Sequence, residues 1–218
     1  MLLKKGQKLL FIGDSITDCE RNRPNGEGLF GALGKGYVGF ADGLLQMNYP
    51  ELGIRVVNMG VSGNTVRDLD GRWQEDVVDR SPDWLVVMIG INDVWRQYDT
   101  PFIADWHVQL DEYERTLNKL VEETKHAVEG MVLMTPFYIE SNAQDAMRAT
   151  MDRYGEAVKR IADRHGCLFV DTQAAFNKVL EHLYSGTLAW DRVHPTAAGH
   201  MILAKAFLGE IGFQWDRS

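Results

Sequence analysis

Basic charge is scarce in this chain of 218 residues: 23 Lys and Arg stand against 31 Asp and Glu, a formal net charge of −8. No Lys/Arg cluster breaks that balance, so a phosphate backbone is not an expected partner, because nucleic-acid binders need basic stripes. Cysteine is scarcer still. Cys19 and Cys167 lie far apart, which leaves no disulfide framework and no paired thiolates for a structural metal. The histidines have no ligand spacing either: His107, His126, His182 and His200 are scattered, with no His-x-x-x-His on one face. Long apolar runs are absent, and Met1–Lys5 leads into an apolar stretch, residues 8–12, too short for a signal-peptide core. The expectation is therefore no membrane span, no secretory leader, a cytoplasmic location and free thiols. Internal repeats, low-complexity tracts and linkers are also missing.

What is present suffices for one full core. Hydrophobic residues make up 45% of the chain and charged residues 25%, an ordinary globular balance that predicts a single domain over residues 1–218. Five short apolar runs read as strands: residues 8–12, 54–59, 84–89, 131–134 and 167–170. The third, Trp84-Leu85-Val86-Val87-Met88-Ile89, is apolar throughout, as a strand covered on both faces must be. Between the runs lie helical periodicities. One is expected over 37–47; another over 65–79 carries Leu69, Trp73 and Val77 on one face and Thr65 as its cap. A third starts near Asp111, with Tyr113, Leu117, Leu120, Val121 and Val128. The strongest has the stripe Met147, Met151, Tyr154, Val158, Ile161, with His165 in its last turn and Gly166 as its stop. A short helix follows with Phe176, Val179, Leu180 and Leu183. In the last helix Pro195 sets the first turn and Met201, Ala204, Leu208 and Ile211 form the buried stripe. Strand and helix alternate five times, which predicts a parallel sheet between helix layers, an α/β/α sandwich. Residues 19–36, with five glycines and Pro24, form a long irregular segment. Gly34-Lys35-Gly36 is no phosphate loop, since no strand precedes it.

The chemistry collects in four stretches. Gly13-Asp14-Ser15 follows the first strand, Gly60 to Asn64 the second, and Gly90-Ile91-Asn92-Asp93 the third. Asp191-Arg192-Val193-His194 precedes the last helix. Strands of a parallel sheet share one carboxyl edge, so the first three stretches belong on one rim, and the fourth can return to it. A serine needs a base, and the base needs orienting. His194 can take the Ser15 proton at Nε2 while Asp191, three residues earlier, holds Nδ1. The Gly63 N–H and the Asn92 side-chain amide can face the oxyanion of a tetrahedral intermediate, with the Ser15 N–H a third candidate. Each piece has a plainer use. Asp14 or Ser15 can cap a helix, Asp191 and His194 can serve a turn and a cap, Gly63 can be a turn glycine and Asn92 a helix cap. Asp14 is read as a turn anchor, Ser62 as a weaker alternative nucleophile, and Cys19 as a small buried side chain with no local basic partner.

These stretches, with the second taken as Asn58 to Gly63 and the last as Asp191 to Pro195, resemble in this order across nearly the whole chain the blocks of the SGNH hydrolases, the GDSL esterase and lipase family, with Ile16 where the family's nickname has Leu. Residues 90–98 and 188–195 resemble more narrowly the intracellular acetylxylan esterases of that family. The resemblance implies a flavodoxin-like three-layer sandwich with a five-stranded parallel sheet, no metal, no cofactor and self-association into a homo-oligomer. It implies a serine esterase acting on acetylated, xylose-based saccharides, with Ser15, Asp191, His194, Gly63 and Asn92 as catalytic groups. Trp190, beside Asp191, and Tyr184 are the expected sugar-contacting aromatics, with Trp95 and Tyr138 also near the rim. Two other readings stay open: the same chemistry on short-chain or fatty acyl esters or thioesters, and a carbohydrate-binding protein that kept the fold without catalysis. A metallophosphoesterase would need further clustered ligands, which the sequence lacks.

Overall fold

The computed structural model describes residues 1–216. Five strands form one parallel sheet: β1 (Lys8–Gly13), β2 (Arg55–Asn58), β3 (Trp84–Met88), β4 (Gly130–Met134) and β5 (Leu168–Val170). Their order is β2-β1-β3-β4-β5, the flavodoxin-like doubly wound order whose crevice lies at the carboxyl ends of β1 and β3. Every residue of β3 is buried, and so is β1 after Lys8. That is why these two strands read as unbroken apolar runs rather than alternating ones.

Nine helices connect and flank the strands among the described residues. They are α1 (Ser15–Asp18), α2 (Tyr37–Asn48), α3 (Val66–Trp73), α4 (Ile91–Asp99), α5 (Leu110–Thr124), α6 (Ala146–His165), α7 (Thr172–Leu180), α8 (Ser185–Leu188) and α9 (Ala197–Glu210). Two groups pack together, α2, α7, α8 and α9 in one and α3, α4, α5 and α6 in the other. They are the outer layers of the sandwich. Phe11 meets Phe207 of α9 and Tyr37 of α2 edge-on, at 5.0 and 5.7 Å between ring centroids, which seats one layer directly on β1.

Several boundaries differ from the sequence expectation. The stretch after β3 is no loop: α4 begins at Ile91 directly behind Gly90, so Asn92 and Asp93 sit in a helix's first turn. Helix α3 is capped by Thr65, as expected, in a capping box with Asp68, but it passes into a π-helical turn over Gln74–Val78. Leu69, Trp73 and Val77 are nonetheless all buried. Helix α5 stops at Thr124, so Val128 falls beyond it. Helix α9 is capped by Thr196, which puts Pro195 outside the first turn. Its buried face is His200, Leu203, Ala204, Phe207 and Leu208, while Met201 is exposed. The stripe of α6 is buried as read, and Gly166 ends that helix in the left-handed region at φ 65°.

Candidate active site

The register brings the strand ends level. Gly13 pairs with Met88, Met88 with Met134, and Met134 with Val170. Whatever follows those residues emerges on one rim, and Asp14-Ser15 and Gly90-Ile91-Asn92 do so side by side. Asp14 is buried and caps α1 by accepting the Ile16 N–H at 3.0 Å, the turn-anchoring role expected of it. Burial pushes its carboxyl up to about 7, against the bonds to the backbone and the charge of Arg72.

Ser15 and His194, 179 residues apart, meet here: Ser15 Oγ lies 3.1 Å from His194 Nε2. His194 Nδ1 lies 2.6 Å from Asp191 Oδ2. A carboxylate can only accept, so the Nδ1 hydrogen points to Asp191 and the Nε2 lone pair faces the serine hydroxyl. Asp191 also builds the turn that presents the ring. Its Oδ1 accepts the N–H groups of Val193 and His194 at 2.9 and 2.8 Å. Burial acts to raise this carboxyl, but the bonds from the His194 ring and from the two backbone N–H groups outweigh it and hold it below the usual carboxylate range. Trp95, on α4, packs edge-on against the His194 ring at 5.9 Å between centroids.

The turn over residues 60–66 approaches from the side of β2. At Gly60 the backbone passes so close to α1 that an added Cβ would lie 2.2 Å from the Asp18 N; only glycine fits. Gly63 follows in the left-handed region at φ 84°. Among the described residues neither its N–H nor that of Ser15 has an acceptor. Asn92 is buried and spends one amide hydrogen on the Asn64 carbonyl at 2.9 Å, and the second has no acceptor among the described residues. Asp18 grips the same turn from α1: its Oδ2 accepts the Ser62 N–H and Oγ–H, each at 3.0 Å, and meets Arg23 at 2.5 Å. Burial raises the Asp18 carboxyl, but Arg23 and Ser62 together bring it down. The Ser62 hydroxyl is thus tied to a carboxylate and, among the described residues, bonds no imidazole, unlike Ser15. The Arg72 guanidinium joins the pieces by donating to the Gly13, Met59 and Asn64 oxygens at 3.0, 2.7 and 2.7 Å.

Trp190 and Tyr184, the expected sugar contacts, are largely exposed, at 86% and 75%. Trp190 adjoins Asp191 in the chain, and Tyr184 stands at the N-terminus of α8. Cys19 is half-buried rather than buried, and an imidazole from far along the chain lies beside it: His200 Nε2 is 3.5 Å from its sulfur. That ring is no base for the thiol. His200 Nδ1 accepts the Tyr37 N–H at 3.2 Å, so Nε2 carries the hydrogen. Burial and then the charge of His194 push His200 down to about 4, while burial and the Glu20 charge raise the Cys19 thiol. Among the described residues no group of three or more His, Cys, Asp or Glu is placed to hold a metal ion, and no helix is long and apolar enough to cross a membrane.

Of the groups around the site, Asp18, Arg72 and Asp93 were given no role by the sequence reading, and Trp95 was placed near the rim only as a flat aromatic. A helix starting at Ile91 would have put Trp95 beside Asn92, since it lies three residues further on and therefore on the same helical face. Nothing local marks Arg72 or Asp18.

A flavodoxin-like sheet with a serine, an imidazole and a carboxylate in line at its carboxyl rim defines an ester hydrolase of the SGNH class. The chain belongs to the GDSL-like lipase/acylhydrolase family, which it matches over residues 11–202. It is 69% identical over 218 residues to an acetylxylan esterase of Geobacillus stearothermophilus, covering all of both chains. The crystal structure of a catalytic mutant of that organism's acetylxylan esterase Axe2, S15A, superposes with a TM-score of 0.99 at 68% identity over the full length of both chains. The D191A and H194A forms of Axe2 are also catalytic mutants. LAE5, an alpha/beta hydrolase from the metagenome of Lake Arreo in Spain, matches at 54% identity and a TM-score of 0.96, over 97% of this chain and 98% of its own.

Proposed function

We propose that this chain is a carboxylic ester hydrolase that removes O-acetyl groups from xylose-based saccharides through an acetyl-serine intermediate. The observation that carries the reading is the in-line contact of Ser15 Oγ, His194 Nε2 and Asp191 Oδ2 at 3.1 and 2.6 Å. Full-length similarity to an acetylxylan esterase supports the substrate class.

Ser15 Oγ attacks the acetyl carbonyl as His194 Nε2 takes the hydroxyl proton. The new Oγ–C bond moves an electron pair onto the carbonyl oxygen, which meets the Gly63 N–H and the spare Asn92 amide hydrogen. Collapse breaks the bond to the sugar oxygen, which leaves with the proton from Nε2. Water then attacks the acetyl group with His194 again as base, and acetate departs as Ser15 recovers its proton. Asp191 fixes the ring's tautomer and offsets the imidazolium charge in both halves. Losing one oxyanion donor typically costs about 10²–10³ in turnover. Trp190 and Tyr184, flat and exposed at the rim, fit a role in sugar contact.

The same reading takes residues 1–218 as one functional domain, a cytoplasmic location and a homo-oligomer, with an acetylated saccharide as partner and neither nucleic acid nor membrane. Short acetylated oligosaccharides are then the substrate, since polymers do not enter cells. The test is acetate release from a panel of acetylated xylo-oligosaccharides, with acetyl and octanoyl nitrophenyl esters in parallel. Preference for acetyl, with activity abolished in Ser15→Ala, is the expected result. Preference for octanoyl would assign the site to a fatty acyl substrate, and activity retained in Ser15→Ala would remove the nucleophile.

A further inference from the structure

The turn that carries Gly63 is held at both ends. Asp18 takes Ser62 from the side of α1. From the other side the first turn of α4 makes two bonds: Asn92 Nδ2 donates to the Asn64 carbonyl at 2.9 Å, and Asp93 Oδ1 accepts the Val66 N–H at 3.0 Å. The two α4 residues are neighbours in sequence, and their two partners lie one and three residues beyond Gly63. The free Gly63 N–H and the spare Asn92 hydrogen are therefore set at a fixed spacing by this pair of bonds.

Asp93 is an unusual residue for such a task. It is wholly buried, and its second oxygen, Oδ2, has no hydrogen-bond partner among the described residues. An ionised carboxylate in that position would leave a charge-bearing oxygen without solvation, which proteins avoid by neutralising the group. Burial, with the charges of Asp14 and Asp68 adding to it, accordingly pushes this carboxyl up to about 7, against the bonds to backbone N–H groups. Tyr113, the nearby phenol, is spoken for by the Ile89 carbonyl at 2.9 Å. What the geometry gives Asp93 is one fixed acceptor oxygen, Oδ1, on the Val66 N–H.

Resting on the reading of Gly63 and Asn92 as oxyanion donors, the geometry points to Asp93 as a positioning residue for the oxyanion site, whose Oδ1 holds Val66, and with it the Gly63 turn, at a fixed distance from the Asn92 amide. Both donors meet charge only as the tetrahedral oxygen forms. Releasing the turn therefore lowers kcat and leaves the binding of the ester nearly untouched. A misplacement of about 1 Å at such a site costs on the order of 10²-fold in rate.

The bond can be cut from either side. Asp93→Ala removes the acceptor. Val66→Pro removes the donor, and it suits the backbone: Val66 is the first residue of α3, where proline is favoured, and Thr65 before it is extended at φ −102° and ψ 178°. Asp93→Asn keeps an oxygen facing Val66 without the charge. Full-length variants are checked for fold by circular dichroism and assayed on 4-nitrophenyl acetate, with Asn92→Ala alongside. Expected are kcat losses of about 10- to 100-fold in Asp93→Ala and Val66→Pro with KM within about threefold, and Asp93→Asn within about fivefold of the parent. If Asp93→Ala fails to fold, Val66→Pro decides. Folded Val66→Pro with kcat within about threefold of the parent overturns the inference, as does Asp93→Asn falling as far as Asp93→Ala. Loss in Asn92→Ala without loss in Val66→Pro removes Asp93 alone from the account. Full activity in Asn92→Ala removes the oxyanion reading beneath it.

Discussion

Replacing Asp191 by Asn separates the two tasks of that carboxylate. One oxygen accepts two backbone N–H groups and builds the turn; the other holds the imidazole hydrogen. In Asp191→Asn the amide oxygen can keep the backbone bonds only if the amide nitrogen faces His194 Nδ1. An NH₂ group there donates, so Nδ1 must accept and the ring's hydrogen moves to Nε2. The nitrogen opposite Ser15 is then no longer a base. Turning the amide over would restore the tautomer, but it would set the NH₂ against the Val193 and His194 N–H donors. Each N–H so deprived costs about 1–3 kcal/mol, enough to keep the wrong tautomer in place. Reversing the tautomer in a serine–histidine–aspartate site costs about 10⁴ in kcat, or about 5 kcal/mol of transition-state stabilisation. The structure predicts that loss together with a nearly unchanged Tm, because the turn survives. The assay is kcat on 4-nitrophenyl acetate beside a thermal melt, with Asp191→Ala as the variant that loses both tasks and melts earlier. Asp191→Asn folded and within about tenfold of the parent would refute the argument.

Three further outcomes follow from the same geometry. Gly60→Ala must push a methyl into the α1 backbone at Asp18, so it should lower stability by about 3 kcal/mol or prevent folding; a melt within a degree or two of the parent would contradict the close approach. Cys19→Ser should keep kcat within about twofold, because the His200 hydrogen points at the sulfur and no base serves it; a loss of about 10² would make the thiol part of the chemistry. Asp14 and Asp93, both raised to about 7 by burial, bind protons in the folded state that the unfolded chain has released. Stability should therefore fall as pH rises from about 4 to about 7. His200, lowered to about 4, acts in the opposite sense below its unfolded value, so the clean reading is a difference. Asp93→Asn should flatten the fall in Tm between about pH 4 and pH 7, and an unchanged slope would contradict the upward shift of the Asp93 carboxyl.

The strands were legible because each is a short apolar run closed by a turn-forming stretch, and the parallel order follows from their alternation with helices. The shared rim of Ser15, Gly63 and Asn92 was legible for a topological reason, since residues after strands of one parallel sheet lie along one edge. The return of His194 to that rim was legible only from the chemistry a serine needs and from the family resemblance. What escaped the sequence was interior polarity. Helix α4 begins on Gly90 with no side-chain cap, so its first turn, carrying Asn92 and Asp93, read as loop. Asp18, Arg72 and Asp93 act through backbone groups distant in the chain, and no spacing rule announces such partners. His200 read as one scattered histidine because its contacts, Tyr37 and Cys19, come from the far end of the polypeptide. The aromatic residues show the opposite limit. Trp190 and Tyr184 were picked for their place beside the site, yet it is Trp95 that packs against the His194 ring.

The central claim is that the acetyl group passes through the hydroxyl of Ser15. Rapid acid quenching during turnover of an acetylated xylo-oligosaccharide, followed by peptide mass spectrometry, tests it directly. The peptide spanning Ser15 should gain the mass of one acetyl group in the parent and gain nothing in Ser15→Ala. Acetate released at the parent's rate while the acetyl mass appears on another residue, or on none in a variant that deacylates slowly, would contradict the account.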